Sequence, residues 1–200
     1  MKFCTLLLLL LFLSAACNLS SPDSTDNPII EDDAPVDVVV ASTYASSSDE
    51  LDKTFPFNID LKTAEGKIVN SSTILKNKKS PTVLLFWLTT CYPCAMELNA
   101  INSKYEQWQN ETDFKLIAIS TDFEKNYGSF VNRVKGSNWP FEAYNDFNRD
   151  FWRVMPGELN GLPQVFVYDE NGELVYHKRK YQSGDEDILF EKVKSLNSHH

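Results

Sequence analysis

An α/β domain with a mixed central sheet is the fold class this sequence predicts, on three observations. Residues 81–88 form a nearly continuous apolar run, the pattern of a strand covered on both faces. Directly beyond it, Leu98, Ile101, Tyr105 and Trp108 recur at helical spacing. Further on, Val165-Phe166-Val167-Tyr168 and Glu173-Leu174-Val175-Tyr176 flank Asp169-Glu170-Asn171-Gly172, which reads as a β-hairpin.

The 200 residues leave room for one ordinary domain and some extra length. Hydrophobic residues make up 42% and charged residues 24%, near globular averages, so the chain as a whole is neither disordered nor collagen-like. Thirteen Phe, eight Tyr and four Trp supply a substantial core. A net charge of −9 argues against nucleic-acid binding through bulk positive charge. Four cysteines are too few for a disulfide-stapled scaffold, and their positions (Cys4, Cys17, Cys91, Cys94) say more than their number.

In chain order, Met1-Lys2 is a short positive start and Leu6 to Leu13 run without a charge. The run is shorter than the ~20 residues that span a bilayer. With Ser14-Ala15-Ala16 behind it, it reads as a signal peptide over residues 1–16. The next residue is Cys17. A signal whose small residues end at a cysteine resembles a bacterial lipoprotein signal, in which that cysteine is lipidated on sulfur and becomes the first residue of the mature chain. That family usually carries Leu three before the cysteine; here the position is Ser14, with Leu13 one further back. Ordinary cleavage, leaving Cys17 as a thiol, is the alternative.

Residues 18–53 carry nine acidic residues against one lysine and are rich in Ser, Asp, Pro and Thr, which leaves residues 54–200 near neutral. Such a stretch buries too little to order itself, so residues 17–53 read as an acidic, flexible tether holding a domain, 54–200, off a surface. The β-branched run at 36–41 offers the alternative of a strand docked on that domain.

Within the domain, Phe57-Asn58-Ile59-Asp60-Leu61 alternates apolar and polar residues as a half-buried strand, Glu65-Gly66-Lys67 turns the chain, and Ile68-Val69 restarts a strand. The central strand at 81–88 and its following helix come next. Residues 114–119 read as a second buried strand, and 123–134 and 146–154 as helices. After the hairpin, 185–196 closes as a helix with Ile188, Leu189, Val193 and Leu196 inward.

The chemistry sits at Cys91-Tyr92-Pro93-Cys94, between the central strand and its helix. This placement puts the first sulfur beside unpaired helix N–H groups and the positive end of the macrodipole, which favours thiolate, the reactive form. Cys94 follows one turn later, near enough to close a small disulfide ring, and Pro93 suits a first turn because its missing N–H would be unpaired there. A zinc site would need two more ligands, and the mature chain offers only Cys17 and three histidines without paired spacing. A structural disulfide is conceivable in an exported protein, but a four-residue ring constrains the unfolded chain very little. Redox chemistry is the reading that remains.

The stretch Val83-Leu84-Leu85-Phe86-Trp87-Leu88-Thr89-Thr90-Cys91-Tyr92-Pro93-Cys94 resembles the active-site segment of thioredoxin-like proteins. More narrowly it resembles membrane-tethered thiol–disulfide oxidoreductases of the TlpA/ResA type, which include cytochrome c maturation reductants. Residues 57–75 resemble that family's N-terminal hairpin, Ile119-Ser120-Thr121-Asp122 its second core strand ending, and residues 161–172 its cis-proline loop and hairpin. The resemblance implies a thioredoxin-like fold with an N-terminal β-hairpin extension. It makes Cys91 the attacking thiol and Cys94 the resolving thiol. Pro163 becomes a cis-proline beside the disulfide, with the Leu162 backbone pairing to the client. Trp87, Tyr92 and Pro93 join them as the substrate-facing set. Glu97 stands where the ResA-like branch carries a carboxylate that accepts or returns the Cys94 proton; without the resemblance it reads equally as an exposed first-turn Glu.

No metal or organic cofactor is implied. The partners implied are client proteins with disulfides, a membrane thiol donor and a membrane reached by a lipid anchor. The domain is expected to act as a monomer in the periplasm or extracytoplasmic space of a bacterial cell envelope, without nucleic acid.

Leu85 stands where thioredoxin has a buried Asp, Thr90 where a Trp usually precedes the first cysteine, and Tyr92 where Gly or Glu is common. These residues tune thiolate stability, so reductant versus oxidant stays open. The segment Pro156-Gly157-Glu158-Leu159-Asn160 is an insertion before the cis-proline loop, placed to shape partner choice. Trp87 reads as packing beneath the disulfide, Lys178-Arg179-Lys180 as a solvated strand end, and His177 as a surface histidine; the terminal His199-His200 receive no metal role. Two rivals use the same fold. A copper-delivery protein would resemble CxxxC with a distant histidine, for which His177 is a doubtful third ligand. A binding module would keep the pair as a relic.

Overall fold

The structure, a computed structural model, describes residues 53–76 and 79–197. The expected signal peptide at 1–16, the expected lipidation at Cys17, the expected tether at 17–53 as far as residue 52, and the alternative strand at 36–41 lie outside the described residues. Seven strands form one sheet in the order β2-β1-β5-β4-β3-β6-β7. The central strand β3 (Thr82–Trp87) pairs in parallel with β4 (Lys115–Ser120) and antiparallel with β6 (Gln164–Tyr168). β4 continues in parallel to β5 (Glu142–Asn145). β1 (Asp60–Lys62) and β2 (Ile68–Asn70) form the expected N-terminal hairpin, joined antiparallel to β5, and β7 (Leu174–Arg179) completes the other edge. The sheet is mixed, as predicted.

The uninterrupted apolar run of β3 is explained by two cores. Val83, Leu85 and Trp87 point into one, with Leu98 and Ile101 of α2 (Tyr92–Glu111), Phe130 of α3 (Tyr127–Ser137), and Leu189, Phe190 and Val193 of α5 (Asp185–Asn197). Leu84 and Phe86 point into the other, with Phe57, Ile59, Leu75 just past the short α1 (Ser71–Ile74), and Phe151 and Val154 of α4 (Phe151–Val154). All six residues of β3 are buried, and each large apolar side chain so placed contributes roughly 1.5–3 kcal/mol. A polar substitution on either face of β3 would therefore enter a core.

Three expectations change. Residues 146–154 do not make one helix. The buried Asp146 side chain accepts from the N–H groups of Asp150 (2.9 Å) and Phe151 (3.0 Å), and Arg149 takes φ +59°, so the chain turns tightly and α4 begins only at Phe151. Ahead of that turn lies β5, whose sequence Glu-Ala-Tyr-Asn carries no strand-like apolar run; pairing between β4 and β1 makes it a strand. In α5, Ile188 is 57% exposed and Phe190 takes the inward place, stacked on Trp108 at 4.8 Å. The inward stripe runs through Leu189, Phe190 and Val193, and Ile188 falls beside it. The expected helix at 123–134 is a 3-10 turn at Glu124–Asn126 followed by α3.

Candidate active site

Parallel β3 and β4 and antiparallel β6 bring three chain segments to one end of the sheet: the loop leaving β3, the loop leaving β4 and the loop entering β6. Cys91 is the N-cap of α2, in extended conformation, and its Sγ accepts from the Cys94 N–H at 3.2 Å. That bond places sulfur on an otherwise unpaired helix donor. No acidic side chain occupies the first turn of this 20-residue helix, so none of its own first-turn residues offsets the positive end of its dipole. Cys91 and Cys94 are joined as a disulfide with Cα atoms 5.3 Å apart. Cys94 is fully buried while Cys91 is half-buried, so Cys91 is the more accessible sulfur of the pair.

The β3–α2 loop is held from the neighbouring strand. The buried Asp122 side chain accepts from the Thr89 N–H (2.9 Å), the Thr89 hydroxyl (2.8 Å) and the Ser120 hydroxyl (2.6 Å). The Asn145 amide in turn donates to the Asp122 carbonyl at 2.9 Å. Asp122 thereby fixes the residues leading into Cys91, a role that the sequence reading, which took Ser120-Thr121-Asp122 only as a strand ending, did not assign. The signal for it is a Ser-Thr-Asp run closing the strand parallel to β3, which sets its side chains beside the β3 exit.

The Leu162–Pro163 peptide is cis. Phe86 pairs with Gln164, so one step further Pro163 is level with Trp87, at the end of the sheet where the disulfide lies. Leu162 is half-buried and packs on both cores. Tyr92 is 75% exposed and Met96 42% exposed, which puts apolar surface next to the pair. Pro93 is also exposed, in the first turn of α2. Trp87 does not belong to the substrate-facing set but packs as the other reading of it has it: it is 1% exposed, edge-on to Trp139 at 5.3 Å and near Phe130 at 6.1 Å. It is a floor beneath the site and offers no surface to a client.

Glu97 lies one turn beyond Cys94 on α2 and is 2% exposed, which removes its reading as an exposed helix-start residue. Its Oε2 accepts no hydrogen bond from the described residues. Burial pushes its carboxyl up to about 8, Asp185 and Glu186 add to the rise, and Lys178 opposes it. Those neighbours come from α5 and β7, far along the chain. Lys178 Nζ pairs with Asp185 (3.0 Å), and Glu186 pairs with Lys104 (3.0 Å) and accepts from Tyr181 (2.9 Å). Lys178 is thus part of this cluster and not simply a solvated strand end. Asp185 and Glu186 are not legible as neighbours of Glu97 in the sequence, because they arrive only through packing of α5 against α2.

His177 stacks on Phe166 at 4.1 Å and its Nε2 meets Gln164 Oε1 at 2.9 Å. Burial lowers its pKa, with Arg179 acting in the same direction. Of the segment 156–160, Leu159 is buried in the second core, while Pro156, Gly157 and Glu158 are exposed. No group of three or more His, Cys, Asp or Glu side chains suited to a metal occurs among the described residues.

Comparison with known proteins places this fold among thioredoxin-like proteins. A family model described as the AhpC/TSA family matches residues 52–177. The solution structure of a thioredoxin-like protein from Porphyromonas gingivalis is 37% identical, with a TM-score of 0.61, covering 72% of this chain and 92% of that one. Sporulation thiol-disulfide oxidoreductase A from Bacillus subtilis (strain 168) is 24% identical over 131 residues, 65% of this chain and 75% of its own length. A thiol:disulfide interchange protein of the thioredoxin family from Chlorobium tepidum TLS, 20% identical, shares the fold with a TM-score of 0.54 over 70% of this chain and 92% of that one.

Proposed function

Starting from the premise that the chain belongs to the AhpC/TSA family and is a thioredoxin-like thiol–disulfide oxidoreductase, we propose that it reduces disulfides of client proteins outside the cytoplasm. The observation that carries this reading is the asymmetry of the pair: Cys91 half-buried on the helix N-cap, Cys94 buried one turn behind it.

In the reduced protein, the Cys91 thiolate attacks a client disulfide. A Cys91–client S–S bond forms, the client S–S bond breaks, and one client sulfur leaves as thiolate and takes up a proton. Cys94 then loses its proton to Glu97, and its thiolate attacks Cys91 Sγ. The mixed disulfide breaks, the second client sulfur leaves as thiolate, and Glu97 returns the proton. Two electrons pass from the dithiol to the client, and the protein is left with the Cys91–Cys94 disulfide. A membrane thiol donor restores the dithiol. The cis-proline loop supports this sequence by setting the Leu162 backbone where an extended client strand pairs with it, and Tyr92 and Pro93 offer exposed contact surface.

The proposal extends to place and pathway. Residues 1–16 act as a signal, Cys17 carries the lipid, residues 17–53 link the anchor to the domain, and the working unit is a monomer. Cytochrome c maturation is the client pathway that the TlpA/ResA resemblance suggests. The test is twofold. The reduced protein should reduce insulin disulfides catalytically with dithiothreitol as donor. Cys94→Ser should accumulate mixed disulfides with its clients through Cys91, whose identification names the pathway. Absence of both activities would refute the reading.

A further inference from the structure

A cleft of about 530 Å³ with a mixed polar and apolar lining opens beside the redox loop, between the Thr89-Thr90 turn and the outer face of α3. Its volume is in the range of ligand-binding clefts, ~300–1,000 Å³. Thr90, which lines the cleft, directly precedes Cys91, so the cleft lies beside the loop that carries the redox pair. Both walls are anchored: Thr89 by its two hydrogen bonds to Asp122, and α3 by Phe130, which is fully buried against Trp87. The cleft therefore exists before a client arrives.

Its chemistry is one-sided. The α3 wall contributes Ser129, Asn132 and Arg133, and no acidic residue occurs in α3. Arg133 is exposed, and no carboxylate among the described residues forms an ion pair with it. A guanidinium offers a planar fork of donors that matches a carboxylate two bonds at a time. Neighbouring hydroxyls and the Asn132 amide can complete the shell of such a group. The chain as a whole is acidic, but at physiological salt that field is screened beyond about 8 Å. Contacts inside the cleft thus outweigh it.

We infer that this cleft receives the client segment next to the attacked cysteine and selects clients carrying Asp or Glu there, with Arg133 as the specificity-determining residue. The inference rests on the proposed reduction of client disulfides and adds the client's chemistry to it. An extended chain advances roughly 3.3–3.6 Å per residue, so the acidic residue is expected close to the client cysteine in sequence.

The experiment uses three peptide disulfides identical except for Asp, Asn or Lys two residues from the cysteine. Their reduction by the pre-reduced protein is followed in single turnovers. The Asp peptide should be reduced about tenfold faster than the Lys peptide at limiting concentration, with Asn between, as expected for a charge-assisted pair made in one case and opposed in the other. Arg133→Glu should invert that order. As an exposed helix position it is not expected to disturb folding. Lys135→Glu changes the charge of the same helix by the same amount away from the cleft and should keep the wild-type order. Rates for the three peptides within twofold of one another in the wild type would overturn the inference while leaving disulfide reduction standing. An equal inversion by Lys135→Glu would overturn it in favour of a long-range field. Failure to reduce any peptide would overturn both the inference and the reading beneath it.

Discussion

Glu97→Gln separates a buried proton carrier from an ordinary surface acid without removing bulk. In the folded protein the Glu97 carboxyl sits near 8, against 4.5 for an unperturbed Glu. Between those values the folded state keeps a proton that the unfolded state has released. Stability therefore falls as pH rises through this window, and the loss is complete above the folded value. With those two values the linkage relation gives a loss of about 4 kcal/mol between pH 5 and pH 9 attributable to Glu97 alone. Asp146, which burial pushes up to about 7, titrates over an overlapping range. It does so equally in wild type and variant, so it cancels in their difference. The assay is urea unfolding of both oxidised proteins at several pH values. The variant should gain on the wild type steadily from pH 5 to pH 9. A difference flat to within about 1 kcal/mol across that range would refute the reasoning, and would mean that Glu97 ionises in contact with water or a compensating cation.

Four further outcomes are expected. The same Glu97→Gln variant should resolve the mixed disulfide more slowly, and the wild-type rate of resolution, rising with pH to about 8 as Glu97 becomes able to accept the Cys94 proton, should lose that rise; stopped-flow kinetics against pH measures both. Alkylation of the single-cysteine variants Cys94→Ser and Cys91→Ser against pH should give Cys91 a pKa below the free-thiol ~8.5, with Cys94 the slower to react at neutral pH. Asp122→Ala removes three hydrogen bonds from a buried position and should cost about 2–4 kcal/mol in urea unfolding while slowing client reduction, because Thr89 loses its anchor ahead of Cys91. Mass spectrometry of membrane-extracted protein should find a lipid on Cys17, and an unmodified N-terminus on freely soluble protein would contradict the anchor.

By itself the sequence determined what short-range pattern can carry. The run from Val83 to Trp87 has no polar face, which identifies a strand with cores on both sides. Cys91, Pro93 and Cys94 at the junction of that strand and a helix-period segment identify a thiol pair on a helix N-terminus. Asp169-Glu170-Asn171-Gly172 identifies the β6–β7 turn. Each rests on residues within a few positions of one another, where backbone geometry sets which side chains share a face.

Tertiary structure decided what depends on which distant segments meet. β5 is a strand because β4 and β1 offer it pairing edges, not because of its own residues. Asp122 reaches Thr89 across a gap of 33 positions because β3 and β4 are parallel neighbours. Glu97 is read from sequence as a helix residue of either kind. Only the approach of α5 and β7 buries it and surrounds it with Asp185, Glu186 and Lys178. Desolvation and Coulomb interaction depend on distance in space and on excluded water, quantities that the spacing of residues along a chain does not contain.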